Sequence, residues 1–458
     1  MNIPISEAET LDLNKVSLKE KISYGIGSLG NNLIYALMAS YLMFFYTEAW
    51  GLSPIAIGSL FFIARLWDGF NDPIMGLLVD NTETRWGKFR PYLLFVPFIM
   101  APLTVACFWG PDLSPTAKIL WAFVTYILWS MSFTAMDIPY WSMSAAITQD
   151  TKERTTIVMI PRTLATFGFF IILTATLPMV NILSFGGSKI TGWRTFAIII
   201  GICAIIMTLI TFKNVKERVH VKNKEPQTIR GILKLLKSNK PLQALMISML
   251  LFETNFAIRG IFPAYYLKYN YNAPHLIPLF GGLYMLIAVM GSILSPLITN
   301  RFGKRNVAIW GSMTICITSL ALYFFSYPNL YALIGLSLFG ALADGASGIA
   351  KMSMLVDTVE YGQWKTGERR EGAVFSTNIF KTKLASAIGG GAGAIILGFI
   401  GFIPKQTPST FTMKGIHMIY TLIPGIIGFL TVIPLYFYSL TEDKFSEIVH
   451  ELKERNAQ

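Results

Sequence analysis

Ala64-Arg65-Leu66-Trp67-Asp68-Gly69-Phe70-Asn71-Asp72-Pro73-Ile74-Met75-Gly76 sets two aspartates one helical turn apart inside an apolar run, residues 54–79, long enough to cross a bilayer. Residues at i and i+4 share a helix face with Cβ atoms roughly 5–6 Å apart. In a low-dielectric setting Asp68 and Asp72 therefore repel each other unless a proton, a metal ion or a basic side chain joins them. Arg65, one turn before Asp68, is one possible partner and would give a static salt bridge; a bound Na+ or H+ is the other. Intramembrane acids are functional candidates by default.

The rest of the chain agrees with a bilayer setting. Hydrophobic residues make up 53% and charged residues 14% of the 458, with a mean hydropathy of +0.52, whereas about a quarter of an ordinary soluble domain is charged. Spans of about 20 apolar residues can be placed at 22–46, 54–79, 92–109, 117–145, 156–181, 194–212, 241–268, 276–299, 307–326, 330–356, 372–403 and 412–438. The expected fold class is an all-α membrane protein of twelve transmembrane helices.

Lys and Arg near span ends stay on the cytoplasmic side. The N-terminal tail, the alternate loops that follow and the C-terminal tail hold 26 basic residues, against 6 in the opposite loops. Both termini are thus expected in the cytoplasm, with the protein in the cell membrane. The net charge of +12 then reports topology and contact with anionic lipid headgroups, and no nucleic-acid partner is expected.

Several function classes are excluded. There is no phosphate-binding Gly-x-x-x-x-Gly-Lys-Ser/Thr loop, and the polar segments are too short for a catalytic domain, so neither a primary pump nor an enzyme is expected. Cys107, Cys203 and Cys316 lack metal or redox spacing, and His220, His275, His417 and His450 form no cluster. No cofactor is expected beyond a co-transported Na+ or H+. Residues 1–21 are polar, and the first apolar run is too long for a signal-peptide core.

A weak repeat divides the chain. Arg85-Trp86-Gly87-Lys88 follows the second span and Arg301-Phe302-Gly303-Lys304 follows the eighth, as two related six-helix halves of major facilitator type would show. The expected organisation is an N-terminal half over 1–212 carrying the cation site, a cytoplasmic loop over 213–240, a C-terminal half over 241–438 and a cytoplasmic tail over 439–458. Within the loop, Ile229 to Lys240 alternates apolar and basic residues as a surface-lying helix does.

Five stretches then carry a resemblance over nearly the whole chain: Arg65 to Pro73, Arg85 to Pro91, Met136-Asp137-Ile138-Pro139-Tyr140-Trp141-Ser142, Asp357-Thr358-Val359-Glu360-Tyr361-Gly362-Gln363, and Thr366 to Gly372. With them the chain resembles the glycoside-pentoside-hexuronide:cation symporters, the family of the melibiose carrier. The resemblance implies a cation site of Asp68, Asn71, Asp72, Thr134 and Asp137. Na+ is held there through Asp68, Asn71, Asp72 and Thr134, an oxygen-rich set that suits a hard cation. It also implies a sugar site of Asn32, Asp137, Trp141, Arg162, Trp129 and Lys383; indoles stack on C–H patches of a sugar ring, and charged groups bind its hydroxyls.

Where galactoside carriers of the family place a Lys-Asp pair, this chain has Asn31-Asn32, as glucuronide carriers do. A hexuronide, its carboxylate received by Arg162 and Lys383, and a neutral pentoside such as a xyloside disaccharide both remain open. The partners expected are one such sugar, a monovalent cation and membrane lipid, for a monomeric carrier. A cation-coupled lysolipid or other amphiphile symporter of the same fold is the alternative. The opposite charges Asp357, Glu360 and Glu371 against Arg85, Arg90, Arg154 and Arg369 are read as gating groups for alternating access. In span 11, Lys381 is expected beside a polar neighbour such as Asp344, while Glu253 and Arg259 of span 7 are left without assigned partners.

Overall fold

A computed structural model describes residues 16–148, 151–218, 239–367, 371–404 and 406–457. Among them there is no β-strand, only an isolated bridge between Thr84 and Gly87. The first compact unit comprises residues 1–56 and 63–224, the second residues 57–62 and 225–458.

The first unit contains α1 (Leu18–Phe44), α2 (Pro54–Asp80), α3 (Arg90–Phe95), α4 (Pro97–Cys107), α5 (Pro115–Ile147), α6 (Thr151–Leu183) and α7 (Lys189–Asn214). Helices α1 and α2 have 27 residues each, or about 40 Å at 1.5 Å per residue, more than the ~30 Å hydrocarbon core. Helix starts follow the sequence: Ser17, Ser114 and Ser188 each accept a hydrogen bond from the first-turn backbone, satisfying a donor the helix itself cannot pair. The expected third span, 92–109, is in two pieces that meet at Val96, with Pro97 opening the second. Proline has no N–H to bond backwards along the helix, so the chain restarts there. Helix α1 packs along α6 and α7, and α4 packs against α5 and α7.

The second unit contains α8 (Lys240–Ile261), α9 (Pro263–Tyr269), α10 (Ile277–Phe302), α11 (Lys304–Phe325), α12 (Leu330–Thr366), α13 (Glu371–Ser386), α14 (Gly393–Phe399), α15 (Thr410–Tyr420), α16 (Leu422–Tyr436) and α17 (Glu442–Ala457). Helix α12 packs on α10 and α11, and α8 packs on α13 and α16. On α10 the two faces separate cleanly. Leu286, Met290, Ile293 and Leu297 are exposed, while Tyr284, Ala288, Gly291 and Ser295 are buried against the bundle. The apolar outer face suits hydrocarbon. The small inner residues permit close approach, since a Cβ at Gly345 of α12 would lie 1.9 Å from the Ala288 carbonyl oxygen. Gly389 and Gly393, in and beside the π-helical turn Ala387–Ala392, likewise sit against Ala257 and Phe262 of the same unit.

Nine helical segments among the described residues are long and apolar enough to span a membrane. Of the surface helix expected over 229–240, only residues 239 and 240 fall among the described residues.

Candidate functional site

Helices α2 and α5 meet along a polar ladder. Ser130 and Thr134 are one turn apart on α5, matching the turn between Asp68 and Asp72 on α2. The Ser130 hydroxyl donates to Asp68 Oδ1 at 2.6 Å and the Thr134 hydroxyl to Asp72 Oδ1 at 3.1 Å. Arg65 Nη1 donates to Asp68 Oδ2 at 2.9 Å. Asp68 is 1% exposed, so its charge is tolerable only because a guanidinium and a hydroxyl both contact it. Asp72 is only partly buried.

Asn71 lies between the two acids and its Nδ2 is buried without a partner. A half-turn of the amide exchanges nitrogen for oxygen at that place, which gives a cation ligand in place of an orphan donor. Asp137, the fifth residue expected at the cation, has a partner on its own helix. It accepts from Trp141 Nε1 at 3.0 Å.

Trp141 packs edge-on to Tyr140 and lies 5.9 Å from the Arg162 guanidinium. Asp137, Trp141 and Arg162 thus form one contiguous group on α5 and α6, with an acceptor, an indole and a cation. Asn32 on α1 is partly buried and donates through Nδ2 to the Ser28 carbonyl at 2.9 Å, leaving Oδ1 for another partner. Its neighbour Asn31 is 3% exposed with both amide atoms unpartnered. Trp129 differs from the expectation. It is buried between Tyr126 and Phe133, its ring stacked on both, and its N–H is used by Thr104. Both indole faces are covered, so Trp129 packs the unit and offers a ligand no surface in this structure. Lys383, partly buried on α13, belongs to the second unit.

Three of the expected gating charges, Asp357, Arg90 and Arg85, meet other groups among the described residues. Both Asp357 oxygens accept from Lys304 Nζ, at 2.7 and 2.8 Å, where an arginine partner was expected. Arg90 donates to the carbonyls of Phe212 and Trp86, and Arg85 lies 4.3 Å over the Trp86 ring. Arg369 and the side chains of Arg154 and Glu371 lie outside the described residues.

Sequence reasoning missed Ser130, although its place one turn before Thr134 was a usable signal. It also missed two acids that latch the repeated loops. Glu217 accepts from the backbone N–H groups of Lys88, Phe89 and Arg90 at 2.8–2.9 Å, and Glu442 accepts from that of Lys304. Outside the spans, the hydrogen bonds that the Arg218 guanidinium donates to Glu20 hold it above its ordinary pKa, against partial burial.

A family described as MFS/sugar transport protein matches residues 23–442. The isoprimeverose transporter of Lactiplantibacillus pentosus is 35% identical, covering 98% of this chain and 94% of that one. The glucuronide carrier protein homolog of Escherichia coli strain K12 is 30% identical, covering 96% of each. Among solved structures, a D-xylose-proton symporter superposes with a TM-score of 0.67 at 14% identity, over 90% of this chain and 96% of that one; this likeness speaks to the fold alone. The helices and the fold define a multi-pass membrane transporter of the major facilitator type, not an enzyme. The chain belongs to the MFS/sugar transport protein family, in its glycoside-pentoside-hexuronide:cation symporter branch.

Proposed function

We propose that this protein is a secondary active symporter that couples downhill entry of Na+, or of H+, to uptake of a glycoside by alternating access in a bacterial inner membrane, with both termini cytoplasmic. The observation that carries the reading is the α2–α5 ladder: two carboxylates, one of them already neutralised by Arg65, beside two hydroxyls and an amide. Asp72, Thr134 and Asn71 supply oxygens for the cation, and Asp68 completes the field. A proton needs only one carboxylate, so the neutral oxygens favour Na+. Asn32, Asp137, Trp141 and Arg162 take the sugar, with Asp137 the acceptor for its hydroxyls. Lys383 is kept as a sugar-site residue on the family resemblance.

For the substrate, the isoprimeverose transporter shares more of this chain's residues than the glucuronide carrier homolog does, at 35% against 30% identity. That favours a neutral xylose-containing glycoside over a hexuronide. The test is uptake into proteoliposomes of purified protein, with isoprimeverose and a glucuronide each offered with and without a Na+ gradient. Accumulation of isoprimeverose that rises with Na+ is expected. Accumulation indifferent to both Na+ and pH gradients would overturn cation coupling, and transport of neither ligand would overturn the glycoside assignment.

A further inference from the structure

The interior of the second unit holds three cationic side chains whose partners differ in one respect. Arg259 on α8 lies 2.9 Å from Asp344 on α12, and the two side chains are 3% and 5% exposed; Tyr284 donates to the same carboxylate. Arg259 Nη1 makes no hydrogen bond despite that approach, yet burial of both side chains leaves a ligand no access to the pair. Lys351 on α12 donates to Ser312 Oγ and Ser347 Oγ at 2.9 and 2.7 Å and lies 3.8 Å over the Phe252 ring. Both serine hydroxyls spend their own protons on the Ala308 carbonyl, so all three ammonium donors of Lys351 have acceptors.

The third pair is open. Lys381 on α13 donates to Glu253 Oε1 on α8, which leaves two N–H donors of an almost fully buried ammonium unused. Glu253 Oε2 is buried and has no donor, although the Glu253 side chain as a whole is 28% exposed. One turn before Lys381, on the same face of α13, Asn378 Oδ1 is also buried without a partner. Buried polar atoms in native structures are normally hydrogen-bonded, and intramembrane charges face the bundle interior or a watered cavity. Unused capacity of both signs at one partly exposed place suggests a ligand that supplies both donors and acceptors.

We infer that Glu253 and Lys381 form a hydroxyl-binding subsite for the glycoside, in a unit distinct from the one that holds the cation ladder. The ligand class follows from that unused capacity. A simple ion could satisfy only the donors or only the acceptors left over, whereas each hydroxyl of a polyol can both donate and accept. One sugar hydroxyl donates to Glu253 Oε2, and a neighbouring oxygen accepts from Lys381 Nζ. This assignment rests on the glycoside reading above.

The experiment is a protein–ligand cycle on detergent-purified carrier. Affinities of isoprimeverose and its monodeoxy analogues are measured for wild type, Glu253→Gln and Lys381→Gln, with Na+ binding measured alongside. In wild type, at least one deoxy analogue is expected to bind about tenfold more weakly than the parent sugar, as loss of one charge-assisted hydrogen bond allows. In either variant the parent sugar falls to the affinity of that analogue, the difference between the two disappears, and Na+ binding is retained. A pair that only braces α8 against α13 would weaken parent and analogues by the same factor, which overturns the inference while leaving the glycoside reading intact. The double variant Glu253→Gln/Lys381→Gln carries no stray charge and serves if a single variant misfolds. Full recovery of sugar affinity in it also overturns the subsite. Wild-type protein that binds no glycoside overturns the reading on which the subsite rests.

Discussion

The two units share a device at the loop that follows their second spanning segment and differ in what they bury. In the first, Gly87 has φ +109° and a Cβ there would lie 2.6 Å from Glu217 Oε1; in the second, Gly303 has φ +85° and a Cβ would lie 2.9 Å from Glu442 Oε2. Only glycine adopts such a backbone freely, and only its missing Cβ lets the carboxylate reach the N–H groups behind it. Each acid follows the last spanning helix of its unit, so the latch closes that unit on itself. The interiors part company. The first unit buries acids against one arginine and two hydroxyls; the second buries Arg259, Lys351 and Lys381 against Asp344 and Glu253. The two loops are held by the same device while the buried charges differ in sign, which supports the proposal that the cation binds in the first unit.

The sharpest attempt to break this assignment is Asp72→Asn. It removes a carboxylate that the proposed cation site needs as a ligand, so Na+-driven accumulation should fall by about a hundredfold or more, while exchange of sugar down its gradient persists. Accumulation that remains Na+-stimulated in proteoliposomes would show that the cation sits elsewhere.

The next contrast separates the tryptophans of α5. Trp141→Ala and Arg162→Ala should each weaken glycoside binding about tenfold and leave Na+ binding within twofold. Trp129→Ala should instead cost about 3–5 kcal/mol of stability, as a fully buried indole does, with sugar affinity preserved in the protein that folds. Calorimetric binding and thermal melting distinguish the two outcomes.

The latches permit a matched comparison. Glu217 accepts three backbone N–H groups, whereas Glu442 is seen to accept one. Glu217→Gln should lower stability by about 1–3 kcal/mol and Glu442→Gln by less, read as denaturation midpoints in one detergent. Equal losses would mean that the two loops are not held alike.

How much of this was legible in the sequence depended on the range of the interaction. Apolar runs gave the helices, and the i, i+4 spacing of Asp68 and Asp72 gave the face that meets α5. Neighbours on other helices are different, because a helical period says which face a residue occupies and not what stands opposite. Hence Lys381 was expected beside Asp344, whereas Asp344 is held by Arg259 and Lys381 by Glu253. Asp357 was likewise set against arginines and meets Lys304. Trp129 and Trp141 are both indoles on α5; the rings of Tyr126 and Phe133 that stack on Trp129 sit three and four residues away on the same helix and were legible, whereas its hydrogen bond to Thr104 of α4 was not.

The finest test concerns charge selectivity in the first unit, where Asn32 stands in place of an acid. Its Nδ2 donates to the Ser28 carbonyl at 2.9 Å, so Asn32→Asp both adds a negative charge and sets it against a carbonyl oxygen with no proton to share. A further acid in a unit that already carries Asp68, Asp72 and Asp137 should repel an anionic ligand most, and a like charge in a desolvated site costs about 1.4 kcal/mol or more, a factor of ten. Glucuronide affinity should therefore drop about tenfold further than isoprimeverose affinity in the variant. Measuring both ligands in wild type and Asn32→Asp, at matched Na+, checks this. An equal loss for the two sugars would place Asn32 outside the reach of the substrate's charge and leave substrate choice to Arg162, Lys383 and the second unit.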